Sequence, residues 1–547
     1  MNVHRIRRFA VSLGVGVALL CAGPARAVHI KLFLLTGQSN SLGTTNGGEN
    51  DSTPGRDPAD AHIPFYWENW ADATTSLGTS TNRFTVLMPQ QGGRFPGSAT
   101  HWGPEIEFGR SLYRAGVRNF GIIKCSRSGG GNTCWLKGSA DDHMYRRVRA
   151  AVTNACATLT AEGHTFEIVG LLYLQGESDS PAEASEAGSR LKVLTDSLRA
   201  DLPHAAALHT IAAGTTTPGN AANATTRAQQ AEIAAATSYI DFFPNTDLAK
   251  HLAPDGLHLN KTGKTVVGNR FAQAFFNAGI VARHYGRLAF IGDSITQGGF
   301  GNPSYRYQVF KHLASAGVTN LAATGYAFVG SVTGALQNNA VQAPEVNGQI
   351  FVNQHEGHWG WRASWECARV ALPAGRYNVN NLGQGTVLNW TGQSATYVTA
   401  DAGTLAYTAP TYVPDTASIL IGINDIADGA APTQVRDDIG TMIDQLRAAN
   451  PNVRIFLNTT LHTHQGAARD RLVDTLHTLL PALVAAKNAA LATSPVWLVD
   501  TDAGFVPATM TYDNIHPNAI GEAHVGDRIS GGLGIIEMPL ADGGAEK

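Results

Sequence analysis

Two serines and two histidines in this chain share a spacing that fits one kind of chemistry. Ser39 and His258 lie 219 positions apart, and Ser294 and His516 lie 222 apart. Each serine sits two residues after a glycine, in Gly37-Gln38-Ser39 and Gly292-Asp293-Ser294. Each histidine sits three residues after an aspartate, in Asp255-Gly-Leu-His258 and Asp513-Asn-Ile-His516. A serine hydroxyl is a weak nucleophile until a base within hydrogen-bond reach takes its proton. A carboxylate three residues before a histidine can accept from Nδ1–H, which leaves Nε2 to act as that base. The types and their order therefore fit nucleophilic acyl transfer at two centres, Ser39/Asp255/His258 and Ser294/Asp513/His516. Alone, a Gly-x-Ser turn is more often only a turn, and Asp-x-x-His at a helix start is often only a cap.

Acyl transfer also needs hydrogen-bond donors for the oxygen that becomes charged. In the first half, the glycine-rich run Ser126-Arg-Ser-Gly-Gly-Gly131 could offer a backbone N–H, and Gln175 an amide N–H. Glu177 and Asp179, in the same Gln175-Gly-Glu-Ser-Asp179 run, read as acceptors that fix the loop. In the second half, Asn424 of Gly422-Ile-Asn-Asp425 can donate an amide N–H without competing for protons.

These residues need a frame. Short apolar runs alternate with longer amphipathic stretches, as expected of βαβ units around a parallel sheet. In the first half, strands are expected at Ile30–Leu35, Phe120–Lys124, Ile168–Leu174, Ala206–Ala212 and Ile240–Phe243. Helices are expected at Pro104–Ala115, Met144–Leu159, Ala182–Ala200 and Thr262–Asn277. The rhythm restarts near residue 285. There the strands are Arg287–Ile291, Ala327–Val329, Ser418–Ile421, Val453–Asn458 and Val496–Asp500, with helices at Tyr305–Ala316, Gln434–Ala449, Ala468–Ala490 and Pro517–Ile529. Pro517 suits a first helical turn. Pro373–Pro414, rich in Gly, Asn, Thr and Tyr, reads as an insertion of loops and short β segments over the second site. In open α/β sheets ligands bind at the carboxyl ends of strands, where Ser39 and Ser294 fall.

Composition narrows the class. Apolar residues make up 43% and charged residues 15%, so a packed core is within reach and wholesale disorder is excluded. The net charge of −3, with no Lys/Arg cluster outside the amino terminus, points away from nucleic acid. Arg5, Arg7 and Arg8, the apolar run Phe9–Ala22 and Ala25-Arg-Ala27 form a signal-peptide pattern, with cleavage expected after Ala27. That pattern implies a secreted or periplasmic chain without a membrane anchor; Leu20 is too bulky to make Cys21 a lipidation site. Of the four remaining cysteines, Cys125 and Cys134 bracket the glycine-rich loop and read equally as a disulfide or as buried thiols, with Cys156 and Cys367 apart. No Cys/His set has zinc spacing. The expected divisions are 1–27 signal peptide, 28–283 first domain, 284–535 second domain with the 373–414 insertion, and 536–547 tail.

Gly37-Gln-Ser-Asn40, Gly103-Pro-Glu105, the Gly-Gly before Trp135, Gln175-Gly-Glu-Ser-Asp179 and Asp255-x-x-His258 together resemble the sialate O-acetylesterase and plant carbohydrate acetylesterase group, carbohydrate esterase family six. The likeness covers roughly residues 29–280. Gly292-Asp-Ser294, Gly422-Ile-Asn-Asp425 and Asp513-x-x-His-Pro517 are similar to the GDSL/SGNH hydrolases over about 286–532. Phe328-Val-Gly-Ser331 and His355-Glu-Gly-His-Trp-Gly-Trp361 add a likeness to their acetylxylan-esterase branch, carbohydrate esterase family three. The resemblance implies two consecutive SGNH-hydrolase domains, each a flavodoxin-like three-layer α/β/α fold with a central parallel sheet. It implies Ser-His-Asp triads at the residues already named, with Gly131 and Gln175, and Gly360 and Asn424, as oxyanion donors. It implies deacetylation of a polysaccharide or oligosaccharide, with no metal or organic cofactor. Two other readings stand beside this one: an esterase or lipase acting on lipid or aryl esters, and one catalytic domain joined to a vestigial glycan-binding one. His358, Trp359, Trp361 and Trp390 read either as a sugar subsite or as core anchors. His462 and His464 read as solvated loop residues or as pocket neighbours.

Overall fold

The computed structural model describes residues 27–43, 54–91, 100–217, 220–299, 301–336, 342–369 and 405–539. The signal-peptide residues 1–26 with Cys21, Trp390, most of the 373–414 insertion and the end of the tail lie outside the described residues.

The first sheet is built on strand His29–Gly37, whose run of apolar residues is buried on both faces. It pairs in parallel with Thr165–Leu174 on one side and Phe120–Lys124 on the other. The full order is Ile240–Phe243, His209–Ala213, Thr165–Leu174, His29–Gly37, Phe120–Lys124, Pro64–Trp70 and Ser76–Thr79, with Thr85–Val86 also on Pro64–Trp70. All pairs are parallel except the two that add Ser76–Thr79 and Thr85–Val86. The chain leaves the central strand to opposite sides, so the carboxyl end at Ser39 opens on a crevice at the switch point of the sheet.

The second sheet repeats the plan. Gly286–Gly292 pairs in parallel with Thr416–Leu420, followed outward by Arg454–Asn458 and Val496–Val499. Its other edge is shared: Tyr326–Val329 pairs with the first residues of the strand and Gln354–Gly357 with the last two. Val332–Thr333 adds an antiparallel edge. Helices cover both sheets, and the architecture is α/β in two consecutive units, as expected of SGNH-type hydrolases.

Several elements differ from the sequence expectation. Helix Ala182–Ala200 is two helices, Pro181–Ser185 and Ala187–Asp201; a capping box from Ser180 and Glu183 starts the first. Helix Ala221–Ala236 was unforeseen because its buried positions are Asn223, Thr226 and Gln230, which leave no apolar stripe to read. Strand Pro64–Trp70 begins with a proline and carries Glu68 and Asn69, which hid it likewise. The last helix is Ala519–Gly532, capped by the Asn518 side chain on the N–H groups of Ile520 and Gly521, so Pro517 stands just outside it. Leu405–Tyr412, within the expected insertion of loops and β segments, is a helix packed against Pro432–Ala449.

The two units share one continuous apolar cluster running from Phe33 and Phe108 through Tyr285 to Phe456 and Trp497. Tyr285, in the tight join between them, is buried and donates to the carbonyl of Leu533 at 3.2 Å. Across the contact, Arg454 donates to the carbonyls of Arg114 (2.9 Å) and His284 (2.7 Å), and Trp497 Nε1 to Asp57 (2.9 Å). All four cysteines of the described residues, Cys125, Cys134, Cys156 and Cys367, are free and buried, so Cys125 and Cys134 form no disulfide here. Burial raises the Cys134 thiol to about 12 and that of Cys367 to about 11, which keeps both protonated. No helix among the described residues is long and apolar enough to cross a membrane.

Candidate active sites

Both serines open a short helix directly at the end of a central strand, Ser39–Leu42 and Ser294–Gln297. The preceding glycines are required by close approach to the neighbouring strand. A Cβ on Gly37, which also has φ +143°, would fall 1.9 Å from the carbonyl oxygen of Leu174, and one on Gly292 would fall 2.1 Å from that of Leu420.

In the second unit the three side chains form a continuous chain of hydrogen bonds. Ser294 Oγ is 2.8 Å from His516 Nε2, and His516 Nδ1 is 2.7 Å from Asp513 Oδ2. Asp513 Oδ1 accepts from the backbone N–H groups of Ile515 and His516, which folds the turn around the carboxylate. Burial pushes the Asp513 carboxyl up, but the hydrogen bonds from the His516 backbone and ring outweigh it and hold the group below its ordinary range. Two aromatic rings lie near-parallel to the imidazole. Trp359 stacks on it at 4.5 Å between centroids, and Tyr512 lies nearly parallel at 5.7 Å. Ser294, Gly298, Gly299, Trp359, Tyr512 and His516 line a small pocket at this point.

In the first unit His258 Nδ1 is 2.6 Å from Asp255 Oδ2, and Asp255 Oδ1 accepts from the N–H groups of Leu257 and His258. Here too burial raises the Asp255 carboxyl and the hydrogen bonds, led by the His258 side chain, bring it below the ordinary range. The residue after Ser39 reaches this turn. The side chain of Asn40 accepts from Leu259 N–H at 2.9 Å and donates to Leu257 O at 3.4 Å, gripping the backbone on both sides of His258. The described hydrogen bonds include no Ser39–His258 pair to match the one in the second unit. Glu177 ties the turn down further, accepting from Gln38 at 2.6 Å and from Asn40 at 2.7 Å.

The two Asp-x-x-His turns share one backbone device. The residue after the aspartate is left-handed in both: Gly256 at φ +69° and Asn514 at φ +72°. Glycine and asparagine are the residues that adopt this conformation most cheaply.

The expected oxyanion donors are placed unevenly. Gln175 is fully buried, and its amide donates to Asp179 at 2.8 Å and toward Gly130 O of the glycine-rich loop at 3.5 Å. Gly131 lies against Glu183, whose carboxylate would meet a Cβ at 2.1 Å, and its glycine character is explained by that contact. Asn424 donates one amide N–H to Trp361 O at 2.8 Å, tying its strand end to the loop that carries Trp359 and Gly360. Gly360 has φ +77° and open space around its α-carbon.

Trp361 and His358 are core residues, stacked on each other at 4.1 Å, whereas Trp359 reaches the site. His464 N–H donates to Asn514 O and so braces the His516 turn, while His462 is paired with Asp502 at 2.5 Å. Three further residues, whose roles the sequence does not reveal, support this site: Gln297 accepts from Trp359 N–H at 2.7 Å, and buried Arg306 donates to the carbonyls of Thr296 and Gln297. The third is Asp293, beside Ser294. Burial raises its carboxyl to about 7 against the bond it accepts from Ile295 N–H.

Comparison with known proteins agrees with this division. Residues 29–277 match the family described as carbohydrate esterase, sialic acid-specific acetylesterase. Residues 351–524 match the GDSL-like lipase/acylhydrolase family. No curated protein matches the chain. Among solved structures, a carbohydrate esterase family 3 protein from Talaromyces cellulolyticus is 25% identical, with a TM-score of 0.34 over 45% of this chain and 96% of that one. A protein from Arabidopsis thaliana is 22% identical, with a TM-score of 0.34 over 45% and 97%. A catalytic mutant of an acetylxylan esterase from Geobacillus stearothermophilus is 18% identical, with a TM-score of 0.28 over 47% and 98%. The chain is therefore a carboxylic-ester hydrolase, with a carbohydrate-esterase family match over residues 29–277 and a GDSL-like acylhydrolase match over residues 351–524.

Proposed function

We propose that this chain is an exported carbohydrate O-acetylesterase with a Ser-His-Asp site in each unit. The observation that carries the reading is the unbroken path Ser294 Oγ to His516 Nε2, 2.8 Å, and His516 Nδ1 to Asp513, 2.7 Å. In this reading His516 takes the Ser294 proton as Oγ attacks the acetyl carbonyl. The backbone N–H of Ser294, at the start of its helix, and the amide of Asn424 face the developing oxyanion. His516 then gives its proton to the departing sugar hydroxyl, and the acetyl-serine is hydrolysed by a water that His516 deprotonates. Asp513 stays ionised and stabilises the imidazolium. Ser39, His258 and Asp255 play the same parts in the first unit.

The family matched by residues 29–277 supports an acetylated glycan as substrate. The deciding experiment compares Ser39→Ala, Ser294→Ala and the double variant for acetate release from acetylated xylan and O-acetyl sialic acid. Loss of a nucleophile is expected to lower turnover at its own site by about 10⁴-fold or more. A Ser294→Ala protein that keeps every activity overturns the second site, and Ser39→Ala does the same for the first. A flat rate from acetyl to octanoyl esters would favour the lipid-ester reading.

A further inference from the structure

Behind the Trp359 loop lies a cluster that the proposed hydrolysis does not use. Glu356 lies in the short strand Gln354–Gly357, His358 directly follows that strand, and Glu366 closes the short helix Ala363–Glu366. Their ligand-type atoms all lie within 4.8 Å of one another. Glu356 and Glu366 are 0% exposed and His358 is 2% exposed.

The hydrogen bonds in this cluster leave a debt on one side. Glu356 accepts from Ser331 N–H at 2.8 Å, from Ser331 Oγ at 2.7 Å and from the His358 ring at 3.0 Å. Glu366, by contrast, has no hydrogen-bond partner on either carboxylate oxygen, although both are buried. Burying a carboxylate without partners is among the most costly arrangements a fold can hold. The nearby arginines are engaged elsewhere, Arg362 with Asp428 and Arg369 with Asp438. Two carboxylates and an imidazole converge, and among the described residues no cationic side chain answers them.

We propose that Glu356, His358 and Glu366 bind one first-row divalent cation, of the Zn²⁺ or Mn²⁺ kind, as a structural site. Two carboxylates balance its charge. The imidazole nitrogen favours such a metal over Ca²⁺ or Mg²⁺, which take oxygen ligands. The cation fixes the loop that positions the catalytic histidine's aromatic cover. His358 N–H donates to Gly292 O at 2.9 Å, at the end of the Ser294 strand, and the next residue is Trp359. Holding the His358 ring therefore holds Trp359 on His516. This site stands whether or not the ester chemistry above is right, since its readout is metal content.

The test uses untagged full-length protein dialysed against Zn²⁺ or Mn²⁺ and then against metal-free buffer, with metal content measured by mass spectrometry. One equivalent per chain is expected, together with a rise in Tm of about 5 °C over protein stripped with a strong chelator. Glu366→Gln and His358→Gln should each lose the bound metal. His143→Ala should keep it, which separates this site from the Cys134, Asp141 and His143 group elsewhere in the fold. Wild-type protein that retains no metal overturns the proposal without recourse to any variant. So does a Glu366→Gln protein that binds as much metal as the wild type. A metal-free wild type whose Glu366→Gln variant is equally or more stable would show a protonated carboxyl in place of a cation site.

Discussion

The indole of Trp359 lies flat against the imidazole of His516, with ring centroids 4.5 Å apart and planes 20° from parallel. The stack limits the ring to the orientation in which Nε2 faces Ser294. Trp359→Ala should keep the fold but lower kcat/KM at the second site by about 2- to 10-fold, the equivalent of roughly 0.5–1.5 kcal/mol for a lost aromatic pair. Steady-state kinetics in a Ser39→Ala background would show it, and an unchanged rate would remove Trp359 from the positioning of His516.

Asn40 has a role in the first site that Ile295 cannot repeat in the second. Its side chain bonds the backbone at both Leu257 and Leu259 and donates to buried Glu177. Asn40→Ala leaves the Leu259 N–H and a carboxylate oxygen without these partners. A stability loss of about 1.5–3 kcal/mol is expected, with a fall in first-site turnover and no change at Ser294. Denaturant unfolding and acetate release together would check both parts. Normal first-site activity would show that Ser39 and His258 meet without this grip.

Lys124 and Glu105 form an ion pair at 2.9 Å with both side chains fully buried, below the turn that carries Ser39. Burial lowers the Lys124 ammonium to about 8 despite its partner, and Nζ also donates to Leu42 O and Gln90. Lys124→Met strands the Glu105 charge and should cost about 3–5 kcal/mol, whereas Lys124→Met with Glu105→Gln should recover part of it. Equal stabilities for the single and double variants would contradict the pairing.

Asp293 gives the chain a pH signature. Its folded-state carboxyl is raised to about 7 by burial and by nearby Asp425. Between about pH 4 and 7 the folded protein therefore holds a proton that the unfolded chain has released, and stability falls as pH rises through that window. Asp293→Asn keeps a side-chain oxygen for Ile295 N–H and removes the titration. The drop in Tm from pH 5 to pH 8 should shrink in this variant; an identical slope would place the titrating group elsewhere.

Much of this site was legible because its parts are local. The Asp-x-x-His turns, with glycine or asparagine in the left-handed position, rest on contacts within a few residues, and the glycine-x-serine turns are marked by residue type at the end of an apolar run. The sequence also carried enough alternation of apolar runs to imply two α/β units. Helix Ala221–Ala236 escaped because it buries Asn223, Thr226 and Gln230 in place of an apolar stripe.

What the amino-acid order determined by itself is the inventory: which side chains could act as nucleophile, base and orienter, and the backbone turns that present them. Only tertiary structure decided which distant groups press on them, namely Asn40 on residues 257 and 259, Trp359 on His516, and Arg454 on the carbonyl of Arg114 in the other unit. The physical reason is that turns and strand patterns follow from torsional and hydrophobic preferences of adjacent residues. A stacked ring or a shared carbonyl depends on where two separately folded segments are packed.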